Sequence, residues 1–409
     1  MRLRCARAAG PAALLALAML LGACAAAPAD SESSPEVSVS ASAPPTEATS
    51  PPAPTPADPE HAVEPPGPLR QSLASADVLV FDPRGLSTEQ VAAIRQVEGV
   101  TAVERLSLAQ VTIEGRVLTV AAVDPATYRR FTLAASAQSQ VVWDRVAGGE
   151  LAVLPGLRRK LPTDERGFVR LGSGADAPQV HVGAYAPQVK GAIDAVVNDA
   201  WGKALGITPG NAVLVSTGIT APDRVTKPVQ RIVGKDISVQ RLDVVERLGL
   251  DPQATQTAYV IGTIADAVGT FNYTVLGGGR IAPDPAWVAS HIVTAAVPIL
   301  GSVTCNVAII PQLRAALEEI VQRGLADAIH VGEYAGCYYP RFIAGTTTLS
   351  NHSFGLALDL NVPGNLRGTV GEMDRTVVSI FEKWGFAWGG RWRYTDPMHF
   401  ELSRLVQPG

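Results

Sequence analysis

Four cysteines, six histidines and 6 % aromatic residues leave this 409-residue chain short of several common kinds of functional chemistry. The cysteines include no CxxC partner for Cys337, so a thiolate knuckle is not expected there. No basic run stands out and the formal net charge is −4, which argues against nucleic acid as a partner. Gly277-Gly278-Gly279-Arg280 lacks the Lys-Ser/Thr ending of a phosphate loop and reads as a flexible turn. After the first two dozen residues no segment is long and apolar enough to span a bilayer. What remains is a composition with 47 % apolar residues, enough to bury more than one core.

The N-terminal end has its own pattern. Arg2, Arg4 and Arg7 precede a short apolar run from Ala12 to Leu21, as in an export signal over residues 1–23. Leu21-Gly22-Ala23-Cys24 resembles a bacterial lipobox, which implies lipidation of Cys24 and an extracytoplasmic lipoprotein held at the cell membrane. The competing reading is an ordinary secretory signal with Cys24 incidental. From Cys24 to residue 70 the chain is rich in Ala, Pro, Ser, Thr and Glu with few large apolar residues, the composition of an extended, Pro-stiffened tether.

Residues 71–235 are expected to form an α+β domain. Ala76 to Phe81 reads as a strand. Ser87 and Gln90 form a capping box that opens a helix with Val91, Ile94 and Val97 on one face. Strands are expected again at Gly99–Val103, Val117–Val120, Glu150–Val153 and Gly210–Val215. The region is faintly similar to the extracytoplasmic domains of FtsX- and MacB-like permeases, which guides the fold alone; partnership with a membrane complex is a separate reading of its role. It carries no chemical motif, and binding a partner or spacing the enzyme are both open. His181, His291 and His330 read as structural. Residues 236–270 are taken as a connector.

The last segment, 271–409, holds the chemistry. Cys305 and Cys337 flank a helix whose apolar positions are Leu313, Ala316, Leu317, Ile320 and Val321. In an exported protein the pair is expected as a disulfide, with free buried thiols the alternative. From Gly355 to Asn361, leucines at 356, 358 and 360 alternate with Ala357, Asp359 and Asn361, as in a half-buried strand that presents Asp359 opposite the leucines. His352 precedes a glycine that permits a sharp bend back towards Asp359. His399–Leu402 reads as a second strand with His399 and Glu401 on one face, entered through an Asp396-Pro397 turn. Two imidazoles and a carboxylate with one open position suit a catalytic zinc, and a further carboxylate suits its base. By spacing alone, His352 and Asp359 fit a hydrogen-bonded structural pair as well as a metal site.

The residues S-x-H-x-x-G-x-A-x-D (350–359) and D-x-x-H (396–399) resemble the signature of the VanY-like D,D-carboxypeptidase and L-alanyl-D-glutamate endopeptidase family of zinc peptidases. The resemblance covers roughly Phe271 to Leu402. It implies a zinc peptidase domain acting on peptidoglycan peptides, with a small antiparallel sheet and flanking helices, preceded by a separate α+β domain. It also implies that His352, Asp359 and His399 bind one Zn2+, that Asp396 is the general base, and that Arg341 stabilises the oxyanion or holds substrate. Ser350, Trp388 and Trp392 are the candidate substrate-binding residues. Trp384-Gly385-Phe386-Ala387-Trp388-Gly389-Gly390-Arg391-Trp392 resembles a stretch of the endopeptidase branch, as does an aspartate base. For the three tryptophans, a packed wall of the cleft stands beside the substrate-surface reading. A protein that keeps this fold without turnover, binding the wall or signalling, is the other functional class.

Overall fold

Alternation of burial along short β-branched runs builds the first half of the chain. In the computed structural model, which describes residues 56–172, 174 and 176–408, these runs form a nine-stranded mixed sheet. Its strands are β1 (Val78–Phe81), β2 (Ala102–Ile113), β3 (Arg116–Val123), β4 (Leu151–Val153), β5 (Phe168–Arg170), β6 (Gln179–Tyr185), β7 (Ala195–Asn198), β8 (Ala212–Ser216) and β9 (Ser238–Arg241). The order is β5-β6-β4-β7-β3-β2-β8-β1-β9; β3–β7 and β4–β6 are parallel and the other pairs antiparallel.

Both faces are covered, so the period of two sorts side chains between two apolar layers. Val78, Val80, Val213 and Val215 pack with Ile94 of the helix Thr88–Arg95 and with Val225 and Val229 of the helix Pro222–Val233. Leu79, Ala212 and Leu214 point the other way, into a cluster with Tyr128 and Trp143. The capping box forms as expected: Gln90 N–H donates to Ser87 Oγ at 3.1 Å, and Ser87 N–H donates to Gln90 Oε1 at 2.9 Å. Such a cap stabilises a helix by about 1 kcal/mol.

Two stretches differ from their composition. Residues 56–70 have the sequence of a tether, yet the described part lies on the first sheet. Asp58 N–H donates to Gly148 O at 3.0 Å, Asn198 Nδ2 donates to His61 O at 2.6 Å, and the His61 ring stacks on Trp201 at 3.8 Å. Backbone hydrogen bonds together with the stacked imidazole dock it. Residues 236–270 are not a plain connector: β9 pairs with β1, and β10 (Gln256–Tyr259) pairs with β11 (Thr270–Gly277). Backbone pairing decided both, and neither run has the clean alternation that would announce it. The signal segment, Cys24 and the tether up to residue 55 lie outside the described residues.

The C-terminal region has small antiparallel sheets and packed helices. β11 continues through the turn at Gly277–Gly279 into β12 (Arg280–Pro283); β13 (Ile292–Val297) pairs with β14 (Gly301–Asn306). β15 (Ala357–Asp359), β17 (His399–Leu402) and β16 (Phe386–Trp388) form the sheet that carries the candidate site. Behind it, Leu356, Leu358, Leu360 and Phe400 are fully buried against Leu313, Ala316, Leu317 and Ile320 of the helix Ile310–Gln322 and Phe381 of the helix Arg375–Lys383. Val321, expected on that apolar face, is 48 % exposed because the stripe ends one position earlier. A disulfide joins Cys305 of β14 to Cys337. Among the described residues no helix is long and apolar enough to cross a membrane.

Candidate metal centre

The site forms where a short turn of 3-10 helix, two antiparallel strands and a tied-down loop meet. Ser350 Oγ caps the turn Asn351–Phe354 by accepting the His352 N–H. Gly355 follows with φ +66°, and a Cβ there would come within 2.6 Å of Asn306 N, so only glycine permits both the bend and the close approach. The chain then enters β15, whose register sets Asp359 directly opposite His399 of β17.

Asp359 lies between the two imidazoles, with Oδ1 3.0 Å from His399 Nδ1 and Oδ2 3.3 Å from His352 Nε2. One ligand atom from each of the three residues falls within 4.8 Å of the others. The outward ring nitrogens are also occupied. His352 Nδ1 is 2.9 Å from Cys337 O, and His399 Nε2 is 3.2 Å from Glu401 Oε2. Donation to those acceptors fixes each ring so that His352 Nε2 and His399 Nδ1 face the cluster. Glu401 is fully buried and accepts a further bond from Asn351 Nδ2 at 2.7 Å. Two inward imidazole nitrogens, one carboxylate and a second layer of acceptors fit a divalent metal such as zinc.

The electrostatics are those of a cation site. Burial opposes charge on His399, but hydrogen bonds to Asp359 and Glu401 outweigh it and push its imidazolium up to about 10. Burial likewise opposes charge on Asp359, and hydrogen bonds from His352 and His399 overcome it and hold the carboxyl well below its usual range.

Asp396 sits beside the cluster, with its side chain 18 % exposed and Oδ2 3.8 Å from Arg367 Nε. Burial pushes its carboxyl up, against the pull of His399. Its backbone is fixed from both sides, since Asp396 N–H donates to Gly389 O at 2.9 Å and His399 N–H donates to Asp396 O at 3.0 Å. Gly389 lies so close that a Cβ would fall 2.4 Å from Asp396 O.

The remaining candidates separate. Trp392 packs its ring 5.2 Å from that of His399 and is half-buried at the rim. Trp388 is 5 % exposed and donates its indole N–H to Pro397 O at 2.7 Å, so it braces the Asp396–His399 turn from behind instead of facing a substrate. Ser350 is a buried cap. Arg341 donates its backbone N–H to Ser353 Oγ at 2.9 Å and directs its guanidinium to Phe342 O at 3.3 Å, over the Tyr339 ring. The structure shows its backbone tied to the His352 turn and its head group engaged locally. Outside this cluster, His181 pairs with Glu150, His291 stacks on Trp287, and His330 pairs with Glu333.

Residues 344–402 match the family model described as D-alanyl-D-alanine carboxypeptidase. The similarity to this family is confined to the C-terminal region. The matched stretch contains His352, Asp359, Asp396 and His399; Arg341 and the nine-stranded sheet lie outside it. A search of curated proteins finds no match to the chain.

Two pairings at the site went unread in the sequence. Asn351 and Glu401 form the bond behind His399, and Arg367 faces Asp396. Only Glu401 had a usable signal, the alternation that puts it on the His399 face of β17.

Proposed function

We propose that the protein is a zinc-dependent peptidase that hydrolyses peptidoglycan stem peptides outside the cytoplasm, tethered to the cell membrane through lipidated Cys24. The convergence of His352, Asp359 and His399 beside the free carboxylate of Asp396 carries this reading. His352, Asp359 and His399 would hold the metal, which would supply Lewis acidity to a peptide carbonyl. Asp396 accepts a proton from the attacking water and returns it to the leaving amine, and burial, which raises its carboxyl above the ordinary range, favours that proton uptake. Arg367 keeps the carboxylate aimed, and Trp392 forms the apolar wall beside His399. The complete set of ligands and base favours turnover over a protein that only binds the wall.

Within this class we favour cleavage between L-Ala and D-Glu, on the aspartate base and the Trp384–Trp392 segment. The matched family's description favours the second reading, release of a terminal D-Ala. A defined stem pentapeptide incubated with the protein separates them by product mass. Scission at L-Ala–D-Glu is expected, and release of free D-Ala with that bond intact would make the protein a carboxypeptidase. The first region is proposed as a spacer or as the docking face for a membrane-complex protein.

A further inference from the structure

The β2–β3 hairpin ends in Glu114 and Gly115, both at positive φ, and its tip reaches the C-terminal region. A Cβ on Gly115 would fall 2.7 Å from the Trp392 ring, and Arg393 N–H donates to a Glu114 carboxylate oxygen at 3.1 Å. Beside this contact lies a cavity of about 200 Å³. Arg116, Arg159 and Lys160 line it from the first region, and Arg367, Arg393 and Tyr394 from the C-terminal region. Glu114 is the one carboxylate in the lining. Arg393 is partly satisfied by Leu161 O at 3.0 Å, and Arg367 lies over the Tyr394 ring. Among the described residues, no hydrogen bond or ion pair engages the head groups of Arg116, Arg159 and Lys160.

Five cations around so small a space repel one another, and an entering anion relieves that repulsion while gaining charge-assisted hydrogen bonds. The cavity adjoins the candidate centre through Arg367, and Trp392 stands next to its lining residue Arg393. Arg367 lines it and also pairs with Asp396 at 3.8 Å, and Trp392 touches both the hairpin tip and His399.

We infer that this cavity is a substrate subsite that takes a free carboxylate of the peptide while a neighbouring peptide bond lies at the metal centre. This deepens the peptidase reading and rests on it. It also gives the first region a role in substrate selection, because three of the five cations come from that region.

The test compares synthetic stem peptides with free carboxylates against the same peptides amidated, using full-length wild type and the exposed double variant R159A/K160A. The variant is expected to raise KM for the free-carboxylate peptide about tenfold, leave kcat within roughly twofold, and leave the amidated peptide unaffected. An unchanged KM, or an equal change for both peptides, would overturn the subsite. Inorganic phosphate is the competing arm: inhibition that the variant abolishes while peptide KM stays put assigns the cavity to phosphate and also overturns it. Calorimetric titration of the peptides into Asp396→Asn protein, with and without R159A/K160A, reads the same contrast without turnover. If wild type cleaves neither peptide, the peptidase reading fails and the calorimetry still decides the subsite. Lys160→Ala alone is the fallback should the double variant fail to fold.

Discussion

At the residue scale, two aspartates in one cleft have opposite surroundings. Asp359 receives hydrogen bonds from two imidazoles and stays ionised, as a ligand must. Asp396 lies near Arg367 and the imidazoles, and burial outweighs their pull and raises its affinity for a proton, as suits a base. Asp396→Asn is therefore expected to keep its metal and lose hydrolysis by at least about 100-fold, whereas Asp359→Asn loses the metal. Elemental analysis beside peptide assays checks both, and near-full turnover by Asp396→Asn would move the base elsewhere. Glu401 is a poor substitute base, being fully buried and bonded to Asn351 and His399. Glu401→Gln should instead weaken metal binding about 10–100-fold with the ligands intact, measured by competition with a chelator. The three-residue cluster was legible through the family resemblance, since spacing alone fitted a hydrogen-bonded pair as well as a metal site. Asn351 and Arg367 were not, because their partners lie 50 and 29 residues away and no local pattern announces them.

At the element scale, the disulfide does more than staple a loop. Cys337 is tied to β14, and its carbonyl oxygen accepts the His352 Nδ1–H. The same segment also pairs with β15 at Gly336 and Asp359. Closing a loop of this separation stabilises by about 3–4 kcal/mol in the chain-entropy model. Cys305→Ser/Cys337→Ser should lower the unfolding midpoint and also weaken metal affinity, since the acceptor behind His352 is loosened. Lower stability with unchanged affinity would show that the β15 pairing alone positions that carbonyl. Strand β2 carries a separate titration. Glu104 is buried, and burial pushes its carboxyl up to about 7 despite a bond from Thr127 Oγ1 at 2.6 Å. Its folded pKa exceeds the unfolded value of about 4.3, so its contribution is fully present below that value and lost as pH rises through 7. Wild type should therefore lose stability relative to Glu104→Gln across this window, by about 1–3 kcal/mol in denaturant titrations. A flat difference would show that Glu104 is not desolvated. The helix Ile310–Gln322 was legible from its apolar spacing. The strand expected over Gly355–Asn361 shrank to Ala357–Asp359, because Gly355 and Asn361 both take positive φ and end the pairing.

At the scale of the whole molecule, the β2–β3 hairpin tip against Trp392 joins the first region to the candidate site. Nothing local in Glu114-Gly115 predicts its partner almost three hundred residues on, so this contact could not be read from the sequence. The proposed anchor is tested at the same scale: Cys24→Ser should abolish fatty-acid labelling and membrane retention, and equal labelling of wild type and variant would exclude Cys24. The central claim is that metal at His352, Asp359 and His399 and the carboxylate of Asp396 together hydrolyse stem peptides. Its most direct test is zinc titration into chelator-stripped full-length protein with a stem peptide as substrate. Turnover is expected to return in step with bound zinc, up to one per chain, and to stay absent in Asp396→Asn at equal zinc. Turnover by metal-free protein, or equal rates in the two proteins, would contradict it.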